Sequence, residues 1–314
     1  MSQRLLSRGS LTLACLMDGA SASAALAHEG GLQAPGELWT AWSWEPGVAL
    51  GLMLSAWLYV RGVRSLWHAS TAGGGIRRWE AVAFGGGWLF LSVALLSPLH
   101  ALGRLLFSAH MLQHELLMLF AAPLLVLGRP LIPFLWGLPF RWRRALGRFG
   151  KMSWAQGGWH GLSHPVLAWS LQAVALWIWH APGLFQEALA DRSVHALQHL
   201  SFLASAGLFW WVLIRSRQRP MAYGAAVLYV FTTSVHSGAL GALLTFAPFP
   251  WYPAYAKTAA SWGLTPLEDQ QLGGLLMWVP GGVLYLVAGL ALLAGWLHGA
   301  ESQVQRRESR ALLK

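Results

Sequence analysis

Two short segments of the sequence repeat one pattern: His110-Met111-Leu112-Gln113-His114 and His195-Ala196-Leu197-Gln198-His199 both read H-x-L-Q-H. Residues four apart on a helix share a face, with Cβ atoms about 5–6 Å apart, so the two imidazoles of each pair can meet one metal ion. A further histidine precedes each pair, His100 the first and His180 the second. The chain therefore reads as two related helical hairpins, each with a histidine trio at one rim. His236 is expected at similar depth in a later helix, and Asp269 and Met277 near the same level in the last one. Imidazole with thioether favours copper, above all Cu(I), over magnesium or calcium. The expected ligands are His110, His114, His195, His199 and His236, with Met277 and Asp269 as second choices. His100 and His180 would receive the ion at the rim. Gln113 and Gln198 are expected as hydrogen-bonding neighbours of the ligands. Glu115 would offset metal charge, relay a proton or remain a buried neutral acid.

The elements that must position these groups are membrane helices. Of 314 residues, 55% are hydrophobic and only 11% charged, against about 25% charged in soluble domains. Seven apolar stretches approach the roughly 20 residues that cross a bilayer as a helix, near 47–66, 79–98, 105–127, 165–182, 195–214, 221–246 and 274–297. Basic residues crowd alternate connections, with Arg61, Arg64, Arg77 and Arg78, then Arg129 and Arg141 to Lys151, then Arg215 to Arg219, then the tail from Arg306. The opposite set holds Arg104, Arg192 and Lys257. By the positive-inside rule, this gives an all-α integral membrane protein, a seven-helix bundle with its N-terminus outside and C-terminus inside. The net charge of +10 then reflects topology and not nucleic-acid binding.

Residues 1–27 combine Arg4 and Arg8, an apolar run and a terminal Ala25-Leu26-Ala27, the pattern of a signal peptide. A segment at 28–46 on the outer face, a membrane domain at 47–297 and a cytoplasmic tail at 298–314 complete the expected organisation. The single cysteine, Cys15, falls in the leader, leaving no thiolate for metal or nucleophilic chemistry in a processed chain. The basic, aromatic stretch Phe140 to Trp154 fits either an interfacial helix on the inner leaflet or a plain loop. The Pro- and aromatic-rich connection 247–264, with Trp251 and Tyr252, is a candidate docking surface or an interfacial cap.

Several functions are excluded or ranked lower. His114-Glu115 opens like a metalloprotease H-E-x-x-H, but Met118 stands where the second histidine belongs. A retinal protein needs a lysine within a span, and Lys151, Lys257 and Lys314 all lie elsewhere. The runner-up is a seven-span zinc hydrolase in which three histidines hold zinc and Ser237 or Asp269 assists. A haem b protein comes lower still, because histidines four apart on one helix cannot approach opposite faces of a ring.

Ser97-Pro98-Leu99-His100, the first pentad through Ala122-Pro123-Leu124-Leu125-Val126-Leu127-Gly128, the second pentad, and Asp269-Gln270-Gln271-Leu272-Gly273-Gly274 through Met277-Trp278-Val279-Pro280-Gly281 resemble the CtaG-like, caa3-type family of multispanning cytochrome c oxidase assembly factors. The resemblance covers nearly all of residues 45–297. It implies a multi-pass protein of the bacterial inner membrane that matures a haem-copper oxidase, supplying copper to the catalytic subunit, with a periplasmic copper chaperone as a further partner. It implies no chemical conversion, since a copper donor needs only ligand exchange.

Overall fold

The computed structural model describes residues 38, 40–69, 75–215 and 223–312. The expected leader and residues 28–37 of the segment after it lie outside the described residues. The helices are α1 (Pro46–Ala69), α2 (Arg78–Leu96), α3 (Pro98–Gly103), α4 (Phe107–Leu127), α5 (Leu131–Gly137), α6 (Phe140–Phe149), α7 (Ser153–Leu162), α8 (Pro165–Trp179), α9 (Pro182–Ala190), α10 (Arg192–Arg215), α11 (Tyr223–Thr245) and α12 (Pro266–Leu312). Two 3₁₀ turns, Pro253–Tyr255 and Ala259–Trp262, join α11 to α12.

Proline sets many of the boundaries. Pro98, Pro165 and Pro182 each occupy a first helical turn, where their missing N–H costs nothing. The residues before them, Ser97, His164 and Ala181, are forced out of the helical region, with ψ of 170°, 129° and 127°. This is why α2 ends before α3 and why α8 cannot run into α9.

Among the described residues, six helices, α1, α2, α4, α10, α11 and α12, are long and apolar enough to cross a bilayer. The stretch expected at 165–182 is shorter: α8 has 15 residues, about 22 Å at 1.5 Å per residue. Large apolar side chains remain exposed along the outside, among them Met53 and Trp57 on α1, Phe231 and Val235 on α11, and Leu286 and Leu290 on α12. Such surface needs lipid around it, so the protein is a multi-pass membrane protein.

α4 and α10 are the most enclosed spans. The main core lies among α4 and α8 to α12, with Phe107, Phe185, Phe202, Phe209 and Leu244 fully buried. A smaller cluster joins α1, α2 and α5, where Tyr59 stacks on Phe84 at 3.5 Å. The 140–154 stretch is helical in α6, with Phe140 and Trp142 exposed and Arg143 lying over Trp136 at 4.4 Å.

The middle of α4, Leu116–Ala121, widens into a π-helical turn directly after His114 and Glu115. Pro123 accounts for it. The Ala122 N–H reaches back five residues to the Leu117 carbonyl, and Pro123 has no N–H to offer the Met118 carbonyl. The Trp210 indole on α10 fills that vacancy, donating to the Met118 oxygen at 3.0 Å. The irregular turn thereby fastens the two histidine-bearing helices together.

Candidate metal centre

Each histidine pair sits in the first turns of its helix, where four backbone N–H groups lack helical partners. α10 is capped by the residue just before it: Asp191 accepts from the Ser193 and Val194 N–H groups at 2.7 and 2.9 Å. α4 has Leu106 at the equivalent place, which offers no acceptor. Its cap comes from α12. Asp269 accepts from the Phe107 N–H at 2.6 Å, the Ser108 N–H at 3.0 Å and the Ser108 hydroxyl at 2.6 Å. Gly273, one turn further along α12, permits the close approach, because a Cβ there would overlap the Phe107 ring and lie 3.2 Å from Met111 Cγ.

With the helices held this way, one ring nitrogen each of His110, His195 and His199 lies within 4.8 Å of the others. The His110 and His195 rings are 5.3 Å apart across the α4–α10 interface, which leaves no room for a macrocycle between them. His114 adjoins the group, its ring 4.4 Å from His110 and 5.4 Å from His199. His100 from α3 stacks on His195 at 5.4 Å and lies 3.9 Å from Glu45, which is partly exposed. Glu45, His100 and His195 are partly exposed, whereas His110 and His114 are fully buried.

The donor chemistry fits a cation. The His110 Nδ1–H donates to the Gly103 carbonyl at 3.1 Å, so in the neutral ring Nε2 carries the free lone pair. Gln198 Oε1 stands 3.4 Å from that nitrogen. The Nε2 atoms of His195 and His199 and both ring nitrogens of His114 are buried without hydrogen-bond partners. Orphaned polar atoms at membrane depth are costly, and a metal ion would satisfy several at once. Gln113 steadies the rim, donating to the Ala94 carbonyl at 2.6 Å and to His100 Nδ1 at 3.0 Å. Glu115 is buried, and its Oε2 has no hydrogen-bond partner.

The structure places five of the expected residues away from the ligand positions. Asp269 caps α4: both its oxygens accept from α4 donors. His236 lies against Trp169 of α8, rings 5.3 Å apart and edge-on, and is not among the imidazoles brought together. Shared depth along α11 does not mean a shared face. Met277 packs into the apolar core. Tyr252 points inward, stacked on Phe107 at 4.7 Å with its hydroxyl donating to the His180 carbonyl at 2.8 Å, so the 247–264 connection roofs the centre and Tyr252 is no docking residue. Ser237 donates to the Thr233 carbonyl of its own helix at 2.8 Å. Both helpers named for zinc hydrolysis are therefore engaged elsewhere.

Sequence reasoning missed two contributors. Tyr255 donates to the same Gly103 carbonyl that His110 uses, at 2.9 Å. Burial pushes the Tyr252 and Tyr255 phenols up in pKa, with Asp269 adding to the effect at Tyr255, so both remain protonated donors. Met111 is the other: its sulfur lies 3.3 Å from His180 Nε2. Its position three residues before His114, on the same helical face, was legible in the pentad.

A sequence model of the family described as cytochrome c oxidase caa3 assembly factor matches residues 57–299. The chain belongs to that family. Among curated proteins it is similar to an uncharacterized protein of Mycobacterium bovis, 28% identical over 236 residues, 71% of this chain and 35% of that one. An uncharacterized protein of Mycobacterium tuberculosis gives the same figures. One of Mycobacterium leprae is 27% identical over 238 residues, again 71% of this chain and 35% of the relative. The chain spans about a third of the length of the curated relatives it matches. No solved structure matches it.

Proposed function

We propose that this member of the caa3-type assembly-factor family binds copper at the outer rim of the bundle and passes it to the catalytic subunit of a haem-copper oxidase. The carrying observation is the convergence of His110, His195 and His199, from two helices, with their ring nitrogens within 4.8 Å of one another. Three imidazoles suit Cu(I) or Cu(II) and also zinc; the family supports copper, the metal that a haem-copper oxidase requires. Glu45, His100 and His195 form a graded path inward from the exposed rim. An ion held by three neutral donors, one of them on a partly buried side chain, can leave by ligand exchange to a partner that binds it more tightly. No bond in a substrate need be broken, so the protein is a carrier and not an enzyme.

The topology goes with this reading. α8 and the adjoining α9 would complete a seventh crossing at 165–182, placing the N-terminus and the histidine rim outside the bacterial inner membrane and the basic C-terminal tail inside. A periplasmic copper chaperone would then reach the rim directly.

The test is copper content and oxidase maturation together. Full-length protein purified after growth with copper should carry it, and a His195→Ala, His199→Ala double variant should lose it. Cells with that variant should accumulate oxidase lacking copper in its catalytic subunit. Equal copper in both proteins, or full oxidase copper in the variant strain, would overturn the proposal.

A further inference from the structure

His180 and Met111 meet in an arrangement that ordinary packing leaves unresolved. The His180 Nδ1–H donates to the Leu176 carbonyl at 2.6 Å. A carbonyl can only accept, so Nδ1 bears the proton and Nε2 of the neutral ring is a bare lone pair. That nitrogen faces the Met111 sulfur at 3.3 Å, and a thioether too can only accept. Two lone pairs therefore confront each other with no proton between them, and both side chains are buried. Donor atoms about this far apart are what one ion sees when its metal–nitrogen bonds are about 2.0 Å and its metal–sulfur bonds about 2.3 Å. A third donor is at hand. The His114 ring lies 6.1 Å from that of His180 and has both nitrogens unpartnered. The Phe202 ring closes the same space, 4.6 Å from His114 and 6.1 Å from His180.

We propose that Met111, His114 and His180 form a second metal site, specific for Cu(I), more fully buried than the imidazole trio and receiving the ion from it. The proposal rests on the reading of the trio as the receiving site. Thioether sulfur is soft and selects cuprous copper, whereas the all-imidazole trio also accepts zinc. His114 links the two sites, its ring between those of His110, His199 and His180. Transfer is ligand exchange alone: the copper stays cuprous, and each imidazole that releases it regains its own lone pair. The second site thus filters for the oxidation state and the metal.

The experiment is anaerobic titration of the purified full-length protein with Cu(I) against a chromophoric chelator, beside Met111→Leu, a near-isosteric change expected to preserve the fold. Wild type should bind two cuprous ions and Met111→Leu one. Copper absorption spectra should contain a sulfur shell at about 2.3 Å that Met111→Leu lacks. Zn(II) should bind once to both proteins. One Cu(I) in wild type, unchanged in Met111→Leu and without a sulfur shell, would overturn the second site while leaving the trio intact. One Cu(I) lost in Met111→Leu but kept in His195→Ala, His199→Ala would uphold the thioether site and overturn the trio. No Cu(I) in wild type would overturn both.

Discussion

Asp269 offers the sharpest separation between a metal ligand and a group that merely places ligands. In Asp269→Ala, two buried N–H groups at the start of α4 lose their acceptor, as does the Ser108 hydroxyl. Loss of a helix N-cap costs about 0.5–2 kcal/mol, and hydrogen bonds to a charged group are worth about 1.5–3 kcal/mol each. These terms overlap, so the expected destabilisation is about 2–4 kcal/mol. Asp269→Asn keeps one oxygen able to accept and should cost about half as much. The assay is thermal unfolding of the detergent-solubilised protein, run beside copper analysis of the fraction that remains folded. Both variants should unfold earlier, Ala more than Asn, while the folded fraction keeps its copper, because neither change removes a ligand. An Asp269→Asn protein with unaltered unfolding and no copper would refute this reasoning and make the carboxylate a ligand after all.

Other consequences follow from the same contacts. Trp210→Phe strands the Met118 carbonyl and should destabilise the protein by about 0.5–2 kcal/mol, read from the unfolding midpoint; no change would mean that another donor serves the π-helical turn. Gly273→Ala gains helix propensity of about 1 kcal/mol, yet its Cβ meets the Phe107 ring, and overpacking of about 1–3 kcal/mol should prevail, so a stabilised variant would contradict the close α4–α12 approach. Tyr255→Phe removes one of the two donors on the Gly103 carbonyl. It should weaken copper binding about tenfold, the lower end of what outer hydrogen bonds contribute to metal sites, with unchanged stoichiometry by chelator competition; complete loss of copper would show that the phenol does more than orient His110.

The two pentads were legible because i,i+4 spacing is a local property of a helix, and their pairing across α4 and α10 followed from two segments with the same pattern beginning at one rim. Residue count along a span converts to distance along its axis, which is all that the expected depths rest on. Azimuth was not legible. His236 stands at a plausible depth but faces Trp169, because the rotation of α11 is set by its packing on α12, where a Cβ on Gly241 would lie 3.0 Å from the Gly274 carbonyl oxygen. Asp269 was ambiguous for a related reason: a carboxylate near imidazoles suits a ligand or a cap equally, and only the absence of a capping side chain at Leu106 assigns it to α4. Met111 could be placed on the pentad's face, but its type, a flexible apolar residue that usually fills gaps, gave no sign of a donor. The break at Ala181 and Pro182 could have been read from proline chemistry, yet hydropathy alone ran the fourth stretch through it.

The central claim is that imidazoles of α4 and α10 share one ion. Anomalous diffraction at the copper edge, from crystals of the full-length protein loaded with copper, tests it directly. The account predicts a copper peak at bonding distance, about 2.0 Å, from ring nitrogens of His110, His195 and His199. A fully loaded crystal with copper elsewhere, and those three rings still without a common ion, would contradict it.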